Sequence, residues 1–370
     1  MQPVGQTLYN KTIFTNFMSP ENIIEAIRKT VSEKTKVPVY DADIRRILSA
    51  LQITEDFWEI IFYSEVPIPA ASEILKELNK NGYIEFKEES IVFTNKGKDL
   101  VKELEIPKPY YKKCPHCQGR GISLEDFEDV LKEFKKIAEN RPEAIQQYDQ
   151  GYVLPEVTVS RVALMANKMD IQNKKLLVIG DDDLTSIAAG LSGLPKDVVV
   201  LEIDERLVNF INNVAKEYGL NVSAEIYDIR DPLPERHYAK YDTFITDPSE
   251  TKEALRLFIS RGISGLRGPR CAGYFGITRA EASLEKWYYL QRMLLDMRVV
   301  ITDMIHNFNV YVNWGYVEKT RAMQIAPVKR SPKREWYTST MYRIETLEGF
   351  VRYNEPAKED IYEDEESSTV

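Results

Sequence analysis

The stretch LLVIGDDDLTSIAAG, residues 176–190, decides the fold class. Its branched apolar run ends at Gly180, and a buried parallel strand leads into a nucleotide-binding turn in this way. Such a turn usually continues with further glycines, whereas here it continues with Asp181, Asp182 and Asp183. Three adjacent carboxylates repel one another, so their presence predicts a ligand or a partner that favours them.

The alternation of strand and helix continues beyond this stretch. KKLLVIG, DVVVLEID, VSAEIYD and YDTFITD read as strands, and helical segments such as ERLVNFINNVAKEYG separate them. Strands that are apolar throughout and joined by helical crossovers predict an α/β fold with a doubly wound parallel sheet. CAGYFGIT, VVITDMIHNFNVYVN and STMYRIETL are candidates for the remaining strands, and we expect an antiparallel edge there.

A different pattern precedes the sheet. Residues 22–105 read as helices, then two short strands around a polar turn, then a helix, which is the element order of a winged helix. The presumed recognition helix carries Glu73 and Glu77 beside Lys76 and Lys80. This mixed charge favours a packing or dimerisation module over a domain that reads DNA. We therefore also expect a homodimer.

Four segments are predicted from these changes in pattern. They are an N-terminal winged-helix-like α+β domain (1–107), a connector with a CxxC turn and a helix (108–150), a Rossmann-like catalytic domain (151–350) and a flexible acidic tail (351–370). Acidic tails usually solubilise a protein. An alternative is that the tail captures a cationic substrate at the mouth of a cleft.

Composition narrows the function classes. The 370 residues carry a net charge of −9, which disfavours broad binding to nucleic acid and weakly favours a cationic ligand. Three cysteines are too few for a disulfide framework. No apolar run is long enough to span a bilayer, and the first residues lack a signal-peptide core. We therefore expect a cytoplasmic protein with no membrane partner.

Acidic residues follow each of the four predicted parallel strands. After Gly180 they are Glu202 and Asp204 at the second strand, Asp228 at the third, and Asp247 with Pro248 at the fourth. An acid after the second strand accepts hydrogen bonds from ribose hydroxyls, and one after the third is well placed for an adenine amino group. The pattern predicts an adenosine-bearing cofactor.

The triple aspartate restricts which adenosine cofactor fits. A pyrophosphate needs close backbone approach and is repelled by carboxylates, which argues against NAD, FAD or metal-free ATP. A sulfonium cofactor is cationic and is attracted. S-adenosylmethionine also carries a carboxylate, which the aspartates repel, whereas its decarboxylated form keeps the sulfonium and the amine. The turn therefore selects for decarboxylated S-adenosylmethionine.

Four motifs resemble a known family. IGDDDLTSIAAG, LEIDERLV, YDIRDPLP and FITDPSE are similar to the branched-chain polyamine synthases, the N4-aminopropyltransferases of thermophiles, and the resemblance extends over the entire chain. Gly-Asp-Asp-Asp is its most specific element. The Rossmann-like sheet is also shared with spermidine synthases and class I methyltransferases, so it discriminates little.

The resemblance implies aminopropyl transfer to the secondary amine of spermidine, with release of methylthioadenosine. Asp181 is the predicted base or orienting acid, supported by Asp182 and Asp183, and Asp247 is expected to line the acceptor side. The alternative for the triple aspartate is an N-terminal cap on the next helix. Gln150 and Tyr152 lie in a segment that either folds over the cofactor to bind substrate or is a solvated linker.

CPHCQGRG contains half of a metal site. Cys114 and Cys117 have CxxC spacing, and the glycines after them resemble a zinc-knuckle turn. A tetrahedral zinc or iron site needs four ligands, and the chain has no second CxxC. A metal shared across a dimer, a redox pair and a structural turn remain open.

Two other functions remain as alternatives. The first is an S-adenosylmethionine-dependent methyltransferase, for which we would expect a basic substrate face and a glycine-rich first turn. The second is a DNA-binding regulator whose sheet senses a metabolite, for which we would expect salt-sensitive retention on DNA.

Overall fold

The computed structural model describes residues 19–369. Residues 1–18 of the predicted N-terminal domain and the last residue of the predicted tail lie outside this range. Within it, none of the helices combines the length and the apolar character that crossing a bilayer requires.

The N-terminal part of the described chain is mainly helical. Its elements are α1 (Pro20–Thr35), α2 (Asp41–Ala50), α3 (Phe57–Ser64), α4 (Ile68–Lys80), β1 (Ile84–Phe86), β2 (Ile91–Phe93) and α5 (Asn95–Glu103). Ile74, Leu75 and Leu78 of α4 are buried on one face, and β1 pairs with β2 in antiparallel register. The helices, hairpin and helix thus lie where the sequence placed them, while the winged-helix assignment and the domain boundaries stay predictions.

Two helices connect this part to the sheet domain. α6 (Glu128–Ala138) buries Phe134 and Ile137 and contacts both α7 (Pro155–Asn167) and α8 (Thr185–Leu191). Since α7 is buried along nearly its whole length, it brings the polar side chain of Arg161 into the interior.

A seven-stranded sheet forms the core of the larger part. Its strands are β3 (Lys175–Ile179), β4 (Asp197–Glu202), β5 (Val222–Ile226), β6 (Thr243–Thr246), β7 (Ala272–Ile277), β8 (Val299–Val310) and β9 (Thr338–Thr346). The strand order is β5-β4-β3-β6-β7-β9-β8. β3 to β7 are parallel, and β9 and β8 add an antiparallel edge. The predicted doubly wound α/β sheet is confirmed.

Helices cover both faces of the sheet, since its strands are apolar on both. They are α7, α8, α9 (Glu205–Tyr218), α10 (Lys252–Gly265) and α11 (Leu284–Asp296), and a short α12 (Arg321–Ile325) precedes β9. The chain leaves β3 in one direction to β4 and reaches β6 on its other side. The carboxyl ends of β3 and β6 therefore flank the point where strand order reverses, which is where open α/β sheets bind ligands.

The acidic C-terminal segment does not behave as the predicted flexible tail. Ile361 and residues 366–369 are buried, and the Glu366 carboxylate accepts a hydrogen bond of 2.7 Å from the Ser283 hydroxyl of the sheet domain. The Lys286 ammonium lies 2.7 Å from Asp364. The prediction was wrong for these residues because the groups that pair with the segment's acids are far away in sequence and do not show in its composition.

Candidate active site

A cleft opens at the carboxyl ends of β3, β4 and β6. Five carboxylates and seven aromatic rings line it, together with backbone from the loops. The carboxylates are Asp149, Asp182, Glu202, Asp247 and Glu250, and the rings belong to Tyr148, Phe258, Tyr311, Trp314, Tyr316, Tyr337 and Tyr362. Gly180, Gln150 and Pro248 of the predicted site residues also line it.

The three adjacent aspartates point in different directions. The turn leaves β3 through Gly180 at φ +68° and enters α8 through Leu184 at φ +55°. Asp181 is 1% exposed, and its carboxylate accepts hydrogen bonds from the backbone N–H and the hydroxyl of Ser186. It therefore caps the start of α8 and is absent from the cleft lining, so the structure does not support its predicted role as the base. Burial raises the pKa of Asp181 to about 8.

Asp182 is the member of the triplet that faces the cleft. Its Oδ2 accepts a hydrogen bond of 2.9 Å from the backbone N–H of Gly151, and its Oδ1 accepts none from the described residues. Burial and the charges of neighbouring carboxylates, Asp183 foremost, raise the pKa of Asp182 well above its ordinary value. Asp182 thus offers one free oxygen and a strong tendency to hold a proton.

Asp183 belongs to a buried ion-pair network. Arg161, itself 2% exposed, lies 2.5 Å from Asp183 and 2.5 Å from Asp247, and its Nε donates to Asn309 at 3.0 Å. The second oxygen of Asp183 accepts a hydrogen bond from the backbone N–H of Val153. Because both oxygens are occupied, Asp183 fixes the loop and α7 beneath the cleft.

Asp247 projects from the end of β6 with one oxygen fixed. Its Oδ2 accepts hydrogen bonds from Arg161 and from the Tyr311 hydroxyl at 2.7 Å. Its Oδ1 lies against Gly276 of β7, where a Cβ atom would come within 2.3 Å of it. Burial raises the pKa of Asp247, although Arg161 favours the charged form. A glycine on the neighbouring strand is therefore what gives this carboxylate its space.

A second group of acids extends the cleft away from the triplet. Burial is the largest cause of the raised pKa of Asp149, Glu250 and Glu281, and the charge of Glu281, which does not line the cleft, further raises the pKa of the other two. Burial and the charge of Glu281 raise the pKa of Asp149 to about 7. The Tyr337 hydroxyl donates to Glu281 and lies 3.3 Å from Glu250. No Lys or Arg lines the cleft within residues 19–369.

A narrower, more apolar hollow continues from the cleft beside β4. Ile203, Tyr227, Ile229 and Phe258 line it, with Glu202 at its edge. Glu202 accepts backbone hydrogen bonds on both oxygens, from Asp181 and Asp204, and burial raises its pKa. Since a carboxylate oxygen has a second lone pair, Glu202 can still accept hydrogen bonds from a ligand.

Comparison with known proteins identifies the family. The model of the branched-chain polyamine synthase A C-terminal domain matches residues 129–369. N(4)-bis(aminopropyl)spermidine synthase of Thermococcus kodakarensis is 50% identical over 349 residues, which are 93% of this chain and 99% of that one. The chain belongs to the branched-chain polyamine synthase family. The resemblance seen in the sequence motifs is thereby confirmed.

Further members agree in sequence and in structure. The enzyme of the same name from Methanocaldococcus jannaschii is 49% identical over 351 residues, 94% of this chain and 100% of that one. The branched-chain polyamine synthase from Thermus thermophilus was solved in complex with N4-aminopropylspermidine and 5'-methylthioadenosine. It matches with a TM-score of 0.89 and 41% identity, covering 95% of this chain and 100% of that one.

Several residues predicted for the site of this family member lie elsewhere. Asp204 caps α9 and binds Arg206 and Gln150, and these hydrogen bonds lower its pKa against the effect of burial. Gln150 lines the cleft, but its side chain is engaged with Asp204. Asp204 therefore positions the loop that carries Gln150 and does not line the cleft.

Tyr152 and Asp228 also differ from their predicted roles. The Tyr152 ring lies outside the cleft lining and stacks under the Arg141 guanidinium, 3.5 Å from the ring centroid. Asp228 is paired with Arg230 at 2.5 Å, which lowers its pKa, and it lines neither the cleft nor the adjoining hollow. In both cases the side chain interacts with a nearby arginine that is not part of the predicted site.

Other cleft residues were missed from sequence. Glu250 follows Asp247 within the quoted motif FITDPSE, so a signal was present. Tyr311, Trp314 and Tyr337 come from the antiparallel edge and its loops, where no motif marked them. Thr369 lines the cleft because the C-terminal segment folds back, and its hydroxyl lies 3.0 Å from Asp149.

The cysteine pair lies apart from the cleft lining. Backbone N–H groups of Gly121 and Gly119 hydrogen-bond to the Cys117 thiol and lower its pKa, as in a knuckle turn. Among residues 19–369 no group of three or more His, Cys, Asp or Glu side chains is arranged to hold a metal ion. Cys114 and Cys117 therefore remain half of a site.

Proposed function

We propose that this chain is an aminopropyltransferase that moves aminopropyl groups from decarboxylated S-adenosylmethionine to the secondary amine of spermidine. A second transfer to the same nitrogen gives the quaternary N4-bis(aminopropyl) product, and methylthioadenosine leaves each time. The observation that carries the proposal is the cleft lining, in which carboxylates and aromatic rings occur together without a described Lys or Arg. Such a surface suits a polycation, because rings attract ammonium groups as carboxylates do.

The donor's adenosine occupies the hollow beside β4. Ile203, Ile229 and Phe258 offer apolar contacts for the adenine ring. Glu202, at the edge of this hollow, accepts hydrogen bonds from the ribose hydroxyls as acids after the second strand do. Gly180 lets the backbone approach the donor closely, since it adopts φ +68° and lines both spaces.

The carboxylates explain the preference for the decarboxylated donor. Asp182, Asp247 and Glu250 line the cleft, and among the described residues only Asp247 of these three is paired with a cation, Arg161. A donor carboxylate about 4 Å from one of them costs roughly 4 kcal/mol at an effective dielectric constant near 20. The sulfonium and the free amine of the decarboxylated donor are instead attracted.

The acceptor lies along Asp149, Asp247 and Glu250. Its terminal ammonium groups pair with these acids, while the rings of Tyr311, Trp314 and Tyr337 pack against its methylenes. Fixing the polyamine in this way aligns its central nitrogen with the donor carbon that is attached to the sulfonium. Alignment of two reactants is a large part of the rate enhancement for a displacement of this kind.

Asp182 accepts the proton of the reacting amine. The nitrogen lone pair forms a bond to the aminopropyl carbon, the carbon–sulfur bond breaks, and its electron pair stays on sulfur as neutral methylthioadenosine. In each round the acceptor ammonium first gives its proton to the free Oδ1 of Asp182, which passes it to solvent, because only the neutral amine has a lone pair for the attack. The quaternary nitrogen formed in the second round has no proton to lose. The raised pKa of Asp182 favours this proton transfer, since it brings the carboxylate closer to the basicity that the step requires.

The test is a comparison of donors and acceptors with product detection by mass. The protein is incubated with decarboxylated or intact S-adenosylmethionine and a panel of linear polyamines. We expect two successive aminopropyl additions to spermidine with the decarboxylated donor alone. Calorimetric affinities that are equal for the two donors would contradict the proposed donor selection. Methyl transfer from S-adenosylmethionine would support the methyltransferase alternative instead.

A further inference from the structure

A continuous stack of aromatic rings forms one wall of the cleft. Tyr337 lies at its centre, with ring centroids 5.2 Å from Tyr311 and 5.4 Å from Trp314, both nearly perpendicular to it. The Tyr337 hydroxyl is also the group that contacts both Glu250 and Glu281. The position of this one ring therefore affects the cleft acid Glu250 and its neighbour Glu281, which does not line the cleft.

The stack continues out of the cleft into the N-terminal helices. Trp336 packs on Tyr337 with centroids 5.3 Å apart, and Trp58 of α3 packs on Trp336 at 4.6 Å. Trp58 is 1% exposed and Trp336 is 3% exposed. The indole N–H of Trp336 has no hydrogen-bond partner among the described residues, so ring contacts alone hold it in place.

Trp58 itself is firmly held. Its indole N–H donates a hydrogen bond of 2.6 Å to the backbone carbonyl of Arg330, in the loop that leads to Trp336. Arg330 also pairs with Glu89, between the two short strands, at 2.9 Å. The Ser72 hydroxyl of α4 donates to the carbonyl of Ile325 at the start of the same loop. The N-terminal part of the chain thus contacts the loop between α12 and β9, which carries Tyr337, and restricts its position.

We infer that Trp58 is a positioning residue for the acceptor side of the cleft, acting through Trp336 and Tyr337 on Glu250 and Glu281. This inference rests on the proposed function, because that function assigns Glu250 to the polyamine. It also gives the N-terminal helices a role in catalysis without a side chain in the cleft, whose first lining residue is Tyr148. The donor hollow is lined by other residues and shares no ring with the stack.

The test is a double-mutant cycle in the full-length enzyme. Trp58→Leu should raise the spermidine KM about tenfold and leave the donor KM within about twofold, because one buried aromatic contact in the stack is lost. Trp58→Phe should recover part of the loss, since it keeps a ring. In a Tyr337→Phe background, Trp58→Leu should add less than about twofold, because the two changes act through the same hydroxyl.

Phe57→Leu is the matched control. Phe57 lies on the same helix, is 4% exposed and contacts Trp58, yet it makes no ring contact with Trp336. We expect both KM values of Phe57→Leu to stay within about twofold of the wild type, since neither acid is reached through it. Additive effects of Trp58→Leu and Tyr337→Phe, or equal rises of the donor and spermidine KM, would overturn the inference.

A readout without substrate separates this inference from the proposed function. The carboxylic-acid band of buried acids is followed by infrared spectroscopy during a pH titration of each variant. Trp58→Leu and Tyr337→Phe should move the midpoint in the same direction, and Phe57→Leu should not. If the wild type fails to alkylate spermidine, the proposed function fails, while the titration still decides whether Trp58 positions the acids. An unchanged titration midpoint in Trp58→Leu would refute the inference that Trp58 positions the acids.

Discussion

Two buried acidic clusters lie in the sheet domain, and they differ in how their charges are balanced. In the first, Arg343 of β9 lies 2.7 Å from Asp170 and 2.6 Å from Glu345, and its remaining contacts are hydroxyl groups and Asp303. The second is the cleft, where Arg161 reaches Asp247 alone among the five lining carboxylates. In the first cluster, the protein itself supplies the cation that balances the acids.

The contrast indicates what each cluster is for. A buried carboxylate without a cation is unfavourable, so it either takes up a proton or awaits a cationic ligand. The raised pKa values of Asp149, Asp182 and Glu250 show the first response in the free enzyme. A bound polyamine is the cationic ligand of the second response. The Arg343 cluster should therefore govern stability, and the cleft carboxylates should govern binding and turnover.

Replacing Asp182 gives the largest expected effect. Asp182→Asn should lower kcat/KM for spermidine by about a thousandfold, because the proton acceptor is lost while the shape of the side chain is kept. Steady-state kinetics at saturating donor measures it.

Asp181→Asn is the matched control for that change. Asparagine keeps an oxygen that accepts from Ser186, so kcat/KM should stay within about threefold of the wild type. Equal losses in the two variants would mean that the triplet acts as one unit and that the assignment of the base to Asp182 is wrong.

Removing Arg343 should affect stability instead. Arg343→Met leaves the buried Asp170 with only Lys174 at 3.9 Å and the buried Glu345 with only the exposed Arg270 at 2.7 Å, which should cost about 3 kcal/mol in the free energy of unfolding. Urea denaturation of this variant and of Asp182→Asn measures the difference. Asp182→Asn should be no less stable than the wild type, since it removes a like-charge repulsion. A reversed order of stabilities would break the distinction between the clusters.

The sequence predicted the sheet, which the structure confirms. Runs such as LLVIG and VVVLE are apolar on both faces, and only a covered parallel sheet accommodates them. The sequence also placed acids at the carboxyl ends of these strands, and Glu202, Asp182 and Asp247 line the cleft there. The prediction of the sheet succeeded because it depends on local pattern, whereas the assignment of these acids to a ligand site follows from one topological rule and stays a prediction.

The orientation of the three aspartates could not be predicted in this way. It depends on the positive φ angles of Gly180 and Leu184 and on Ser186, which together turn Asp181 towards the helix. The contribution of Tyr337 depends on where the antiparallel edge packs. The C-terminal segment was misread because Ser283 and Lys286, which hold its acids, lie about eighty residues earlier.

Proton release on binding tests the central claim most directly. Spermidine is titrated into the enzyme by calorimetry in buffers of different ionisation enthalpy, at a pH near the value of about 7 to which burial and Glu281 raise the pKa of Asp149. Below that pKa Asp149 holds a proton, and above it the carboxylate is charged, so binding a cation expels the proton. The spermidine KM should accordingly fall as pH rises through this region.

We expect the wild type to release protons on binding spermidine at that pH. The release should be smaller in Asp149→Asn, which has no acid to discharge there, and unchanged in Asp181→Asn, whose side chain lies outside the cleft lining. Binding without any proton exchange, or with net proton uptake, would mean that the cleft carboxylates other than Asp247 are not held without a cation and partly protonated until the polyamine arrives.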